Sequence, residues 1–374
     1  FEVLTPEALL ERSAKQQQRK QTEKAQVIEE ELEVGVARTT AGKRLKTEIS
    51  EREVEETVSL KEETVDVERS RVERTLKPEE ADQAFGERTV ETHLARRSQG
   101  EAVVPGGERE VGLLQRQVAS GYQKEEFTVV LRPMAIDGVE PTSSMGDDTA
   151  QPPLASYARP IFSFLKQRFA QVTNPPIDHL RERHVMSIST RIGPRGPLLL
   201  EKPTAASLRE YPSFLLFPSA IDDLEANGAE LVDATFEALE GPDGLEDGIR
   251  SVVDLARIAV EGGAPVIIVT DRATSAERAP IPSALAAGAV HHGLLRAGLR
   301  SQVSIVVDAD DPRETHHVAC LLTNGADAVC PRLALESIAE LAGRGRLGGD
   351  TKNTEAQRNY FSAIEDGLLK VMSK

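Results

Sequence analysis

The spacing of apolar positions divides the chain into regions of different character. Residues 1–26 are rich in Lys, Arg, Gln and Glu; Ser13-Ala14-Lys15-Gln16-Gln17-Gln18-Arg19-Lys20 typifies a charged lead-in, exposed helix or disordered. From 27 to 104 apolar residues are sparse and mostly β-branched. Val58-Ser59-Leu60 and Thr64-Val65-Asp66-Val67 alternate as half-buried strands do. Glu and Arg compete with that pattern, so a thin sheet and extended flexible segments both fit. Pro105-Gly106-Gly107 marks a boundary.

Beyond it the pattern predicts helix from Val111, over Ile161–Phe169, and over His179–Ser187, the last opened by Asp178 as N-cap. Pro212–Pro218 reads as a short buried connection, and Leu231–Phe236 opens a new unit. From about 245 helices and buried strands alternate. Helices are predicted over Gly248–Glu261, Ser283–Ala297, Pro312–Thr323, Ala334–Ala342 and Glu355–Lys374. Strands are predicted over Pro265–Asp271, Val303–Asp308 and Ala326–Cys330. Continuous apolar strands between helices imply right-handed βαβ crossovers and a parallel sheet covered on both faces. The fold class is therefore α/β, a parallel-sheet βαβ central domain preceded by a charged, β-rich or partly disordered segment. The divisions expected are 1–26, 27–104, 105–240, 241–345 and 346–374.

Composition narrows the function. At 374 residues the chain has room for two or more cores. A formal net charge of -16 disfavours nucleic acid, whose phosphates would be repelled. No apolar run is long enough to span a bilayer, and no secretory leader is visible. The two cysteines, Cys320 and Cys330, make no disulfide framework and read as buried thiols of a reducing compartment, hence a cytoplasmic protein. The chain starts at Phe1 and stops inside a predicted helix, which leads to the expectation of a piece of a longer polypeptide.

Candidate chemistry is limited. His291-His292 and His316-His317 lie on predicted helices, where neighbours point about 100° apart, so neither pair chelates by itself; no metal is expected. Asp271 and Asp308 end parallel strands, where ligands bind; Asp271-Arg272 reads equally as an ion pair. No phosphate-binding glycine loop follows either strand. Two shaped loops stand out: Pro141-Thr142-Ser143-Ser144-Met145-Gly146-Asp147-Asp148-Thr149 and Phe169-Ala170-Gln171-Val172-Thr173-Asn174-Pro175-Pro176-Ile177-Asp178. Gly146 permits backbone angles a side chain forbids, the aspartates tie turns, and the prolines fix the backbone. They are either connections or carriers of a site.

These two loops, with Val129-Val130-Leu131-Arg132-Pro133-Met134, resemble the large subunit of bacterial glutamate synthase. So do Thr270-Asp271-Arg272, Ala279-Pro280-Ile281-Pro282-Ser283, Gly288-Ala289-Val290-His291-His292, Thr315-His316-His317-Val318-Ala319-Cys320-Leu321-Leu322 and Gly325-Ala326-Asp327-Ala328-Val329. Cys330 and Arg332 depart from the family pattern, where Asn and Tyr are expected. Glu29–Gly35, Val54–Leu60, Val65–Arg69 and Ala84–Glu87 resemble instead a bacterial general-stress module found beside PRC-barrel domains. The synthase family places a glutaminase domain there, so the join is a genuine fusion or an error of gene assembly.

The resemblance implies glutamate formation from glutamine and 2-oxoglutarate. The chain would supply the structural central domain and the helical start of the flavin-binding synthase domain. Met145, Gly146 and Asp147 would help surround 2-oxoglutarate. Gly146 would let backbone N–H groups approach its carboxylate, Met145 would form an apolar wall, and Asp147 would hold the loop or orient a basic neighbour. The family's nucleophilic N-terminal Cys, its three clustered cysteines and its flavin barrel are absent, so no catalytic residue is expected. The fragment would bind no cofactor, while the parent carries FMN and an iron–sulfur cluster. Implied partners are the remaining glutaminase and synthase domains, with ferredoxin or a small electron-donor subunit. The alternative is a non-enzymatic stress or scaffold protein working through residues 27–104.

Overall fold

A computed structural model describes residues 26–39, 42–55, 95–104, 111–142, 144–147, 149–155, 159–166, 181–196, 208–348 and 351–373. The chain divides into two units, Phe1–Arg88 and Thr89–Lys374. In the first, β1 (Gln26–Thr39) and β2 (Gly42–Glu55) form an antiparallel ribbon, in register from Gln26 opposite Glu55 to Thr39 opposite Gly42. Val58–Leu60 and Thr64–Val67 lie outside the described residues.

The second unit is the α/β body. Its short strands β3 (Ala95–Arg96), β4 (Thr190–Ile192) and β5 (Arg209–Tyr211) form a small mixed sheet. The main sheet is parallel and four-stranded: β6 (Glu230–Asp233), β8 (Val266–Thr270), β10 (Ser304–Ala309) and β11 (Ala328–Pro331), in that spatial order. Sequence neighbours are thus spatial neighbours, and β6 is an edge strand the apolar pattern did not assign to the sheet. Between these, β7 (Thr235–Glu237) and β9 (Arg278–Pro280) pair antiparallel at one end.

The helices are α1 (Leu113–Ala119), α2 (Arg132–Asp137), α3 (Pro218–Ala226), α4 (Gly241–Glu261), α5 (Ser283–Arg296), α6 (Thr315–Thr323), α7 (Arg332–Gly343) and α8 (Asn353–Ser373). Helix α4 opens with Pro242 in its first turn, where a missing N–H does no harm, and Asp243 faces the positive end of the dipole. Val252, Ala256 and Val260, four residues apart, form its buried stripe.

Strand alternation explains the double-faced burial. Ile267, Val269 and Ile305 pack with Val252, Ala256, Val290 and Leu294 on one face. Val266, Ile268 and Val306 meet Tyr211, Leu216, Ile221 and Leu224 on the other. A third cluster gathers α2, α6, α7 and α8 around Leu131, Phe162, Leu321 and Tyr360. Burying each such side chain contributes about 1.5–3 kcal/mol. The free edge of β11 is covered by the predicted connection: Val329 N–H donates to the Phe214 carbonyl (2.8 Å) and Leu216 N–H to the Val329 carbonyl (3.0 Å).

Two helix predictions need correction. Among the described residues Ile161–Phe164 forms one 3-10 turn and Leu165 is already extended (φ -92, ψ 122), while 167–169 lie outside the described residues. Phe162 is fully buried in the core, Ile161 and Leu165 pack part-buried against it, and Phe164 is 59% exposed. The second shrinks to a single turn, Glu182–Val185, because Met186 turns extended towards β4; its N-cap is Arg181, and Asp178 lies outside the described residues. Conversely, a helical run from Lys124 through one π turn (Phe127–Leu131) continues into α2.

Candidate functional site

The first candidate is the loop after α2. That helix closes at Gly138, whose φ of +63 suits glycine. Met145, Gly146 and Asp147 are each half-buried. Gly146 has φ +90 and abuts the chain at Leu165 and Lys166. Asp147 N–H donates to the Ser163 carbonyl (2.8 Å). Its carboxylate turns back on the loop: Oδ1 accepts from Thr149 N–H (2.8 Å), and Oδ2 from Arg159. Arg159 also donates to the Thr149 carbonyl (2.6 Å). The Thr149 bonds, backbone first, and the Arg159 charge hold the Asp147 carboxyl below its ordinary range. Both oxygens are engaged within the loop, so Asp147 shapes it. Ser143, Asp148 and the whole Phe169–Asp178 loop lie outside the described residues.

The loop inherits its position from α6. Phe162, beside the Ser163 carbonyl, is fully buried; its own carbonyl accepts from His316 Nε2 (2.8 Å), and its ring stacks on His317 at 4.3 Å. His317 Nδ1 accepts from Arg313 N–H (3.2 Å), which leaves Nε2 to donate to Glu314 (3.1 Å). Burial lowers the His317 pKa, in keeping with a neutral ring protonated on Nε2. This histidine pair packs and positions. His291 Nδ1 likewise accepts from Arg300 Nε at 3.0 Å. Among the described residues no three His, Cys, Asp or Glu converge to hold a metal ion.

The second candidate lies at the carboxyl ends of β8, β10 and β11. Asp271 does not pair with Arg272. Both follow the end of β8, where the chain enters a turn at Arg272, and Arg272 Nε reaches Asp308 (2.6 Å) while its Nη1 reaches Glu225 (3.1 Å). Asp271 pairs with Arg332, the first residue of α7. Arg332 is 0% exposed and also holds Asp308 (2.8 Å) and Asp310 (2.6 Å). Arg116 of α1 grips Asp310 through Nε (2.8 Å) and Nη2 (2.9 Å), and reaches Glu336 through Nη1 (2.6 Å). Asp310 N–H donates to Asp271 Oδ2 at 2.9 Å. Burial, then the neighbouring Asp310 charge, pushes the Asp271 carboxyl up to about 7, against the opposing pull of Arg332.

Two hollows flank this network. A cleft of about 440 Å³ is lined by Arg116, Asp271, Arg272, Asp310 and Arg332. A second, smaller hollow of about 190 Å³ is lined by Ser120, Arg159, Ile161, Asp271, Ile281 and Asp311. Arg332 stood out in the sequence only as a departure; Arg116, Arg159 and Asp310 gave no signal, because their partners lie 10 to 220 residues away. An arginine just after a parallel strand, facing two strand-terminal acids, is the pattern that would have found the network.

Comparison with known proteins gives a consistent picture. The glutamate synthase central domain family matches residues 115–374. Ferredoxin-dependent glutamate synthase 2 of a Synechocystis species is 41% identical over 276 residues, covering 70% of this chain and 18% of that protein. The NADPH glutamate synthase large chain of Azospirillum brasilense is 43% identical over 265 residues, covering 70% and 17%. The NADH glutamate synthase of Schizosaccharomyces pombe is 38% identical over 264 residues, covering 69% and 12%. The chain therefore spans less than a fifth of the length of these curated relatives. Among solved structures, a flavocytochrome b2 variant with sulfite bound is 14% identical, covering 42% of this chain and 36% of that one, at a TM-score of 0.27, too low to carry an argument.

Proposed function

This chain belongs to the glutamate synthase central domain family, and we propose that it is the part of a glutamate synthase large subunit joining a glutaminase domain to a synthase domain. The family match over residues 115–374 carries this reading. The parent reaction would release ammonia from glutamine, condense it with 2-oxoglutarate with loss of water, and reduce the imine to a second glutamate. A bound flavin would supply the hydride for that reduction. The chain's own residues do not fit the parent's iron–sulfur cluster: Cys320 and Cys330 are both buried, and burial pushes both thiols up, that of Cys320 to about 11.

Within that parent, the Met145–Asp147 loop would wall the 2-oxoglutarate site. The half-burial of all three residues and the Arg159 clamp on Asp147 support this. Gly146 would offer backbone N–H groups to a carboxylate and Met145 an apolar surface. The remaining glutaminase and synthase domains would be its partners, together with an electron donor, in the cytoplasm; no helix among the described residues is long and apolar enough to cross a membrane. The divisions at 104/105, 240/241 and 345/346 belong to the same proposal, as does the stress-module resemblance of residues 27–104.

A chimera tests the reading. Residues 115–374 replace the matching segment of the Azospirillum brasilense relative. Glutamine-dependent glutamate formation by the folded chimera is expected, and its loss contradicts the assignment. In the same chimera Gly146→Val is expected to raise the KM for 2-oxoglutarate without changing glutamine hydrolysis. The 374-residue chain alone is expected to form no glutamate.

A further inference from the structure

Residues 95–104 cross the body as an extended strap, and their side-chain bonds reach residues 116 to 266 places further along the chain. At its start β3 lies parallel to β5, and Arg97 N–H adds a bond to the Glu210 carbonyl (2.8 Å). The strap then runs beside the connection that covers β11. Phe217 N–H donates to the Gln99 carbonyl (2.7 Å), and Gln99 Nε2 donates to the Leu215 carbonyl (3.2 Å) and to Glu365 (2.9 Å). Glu101 N–H donates to Ser219 Oγ at 2.7 Å. Val103 is held at both main-chain groups. Its N–H donates to Gln357 Oε1 (2.8 Å), and its carbonyl accepts from Gln357 Nε2 and Asn353 Nδ2 (2.7 Å each).

These are the contacts of a bound peptide. Arg97, Gln99, Glu101 and Val103 are gripped in alternation, as in a strand laid along a groove. Gln357 is 0% exposed, and both its polar atoms are committed to Val103 and Asn353. A buried amide stripped of such partners is costly, so the groove is built to be filled. Ala102 and Val103 pack part-buried against the core. Every residue of the groove lies within the family match at 115–374, whereas the strap lies before it. We propose that the surface formed by β5, the Leu215–Phe217 connection, α3 and α8 is a docking site for an extended segment, recognised mainly through its main chain. The strap is that segment, and it fastens the preceding part of the chain to the body independently of the covalent link through residues 105–110.

Selectivity resides at two positions. Gly100 has φ +100, and a β-carbon there would stand 2.6 Å from Ser219 Oγ and 2.9 Å from Ala220 N, so a side chain at that place collides with the start of α3. Gln99 is the strap side chain that bonds the body, through Leu215 and Glu365. Arg97, Ser98, Glu101 and Val104 are exposed, which leaves their side chains free to vary. The occupant the groove fits is therefore an extended segment with a central Gln-Gly and a small or apolar pair two places further on.

The test uses the 374-residue chain with a site for a specific protease inserted between Gly106 and Gly107. After cutting, the pieces 1–106 and 107–374 are expected to travel together in gel filtration. A synthetic peptide of residues 95–104 is expected to displace the shorter piece. Gly100→Val and, separately, Gln99→Ala are each expected to weaken retention of that piece, Gly100→Val by about tenfold or more. Ser98→Ala, at an exposed position, is expected to leave retention unchanged. The body residues are identical in every arm, so the comparison reports on the strap. Separation of the wild-type pieces on cutting overturns the proposal. So does retention of the Gly100→Val piece as tight as that of wild type, or failure of the peptide to displace the wild-type piece, since either result places the fastening elsewhere.

Discussion

Gly146 stands so close to Lys166 that a β-carbon on the glycine would lie 2.6 Å from the Lys166 Cβ, and equally close to the Leu165 carbonyl oxygen. Its φ of +90 is, besides, a conformation side chains rarely adopt. Gly146→Ala is therefore expected to lower stability by about 1–3 kcal/mol, or to push the loop off the Ile161–Phe164 turn. Urea denaturation measures the first; faster hydrogen exchange of the Asp147 amide reports the second.

Arg332→Met removes the guanidinium shared by Asp271, Asp308 and Asp310. Three buried carboxylates then lose a common partner, and a loss of about 3–5 kcal/mol is expected at pH 8. The deficit is expected to shrink at pH 5, where the stranded acids can take up protons. Urea midpoints at the two pH values check both statements.

Asp271 carries a pH signature of its own. Its folded pKa, about 7, lies above the ordinary carboxyl value of 3.8. The folded state then binds the proton more tightly than the unfolded chain, so this group's stabilising contribution is present below the ordinary value and lost as pH rises through 7. Asp147 has the opposite sign. Its pKa is lowered, so its contribution is present above the ordinary value and lost as pH falls through the folded one. Comparing thermal midpoints of wild type and Asp271→Asn from pH 4 to pH 8 isolates the first slope, which the variant is expected to lack.

Arg159→Gln leaves the Asp147 carboxylate with its Thr149 bonds but without its ion pair. Protease cleavage near residue 149 is expected to accelerate, and the Asp147 carboxyl to titrate higher than in wild type. An unchanged titration would mean the Thr149 bonds alone set its value.

Cys320 and Cys330 are expected to resist thiol reagents in the native protein and to react fully in denaturant. Cys320 is 8% exposed and Cys330 fully buried, and burial raises both thiols above the range where thiolate forms. A colorimetric thiol count with and without urea decides it.

The sheet was legible because Val266–Val269 of β8 and Ile305–Val307 of β10 are unbroken apolar runs in strands buried at every position, and only a strand covered on both faces needs that. The edge strand β6 escaped because Glu230 and Leu231 face solvent and blur the pattern. The helix expected over Ile161–Phe169 gave way, among the described residues, to one 3-10 turn: spacing showed an apolar stripe, but Leu165 is already extended, and Phe162, stacked on His317, is the fully buried member. The ion-pair network lay out of reach. Local sequence suggested Asp271 with Arg272, whereas tertiary packing joins Asp271 to Arg332 and Arg272 to Asp308. Gly146 and Asp147 drew attention through turn chemistry alone, and the anchors that fix them, Arg159 and Ser163, became visible only with the coordinates.

Because β6, β8, β10 and β11 lie side by side in the order in which they are made, no strand has to wait for a distant one. Each βα unit can settle onto its predecessor as the nascent chain leaves the ribosome. A domain assembled in that sequential fashion can be complete before whatever is translated after it, offering a finished platform on which later polypeptide can fold.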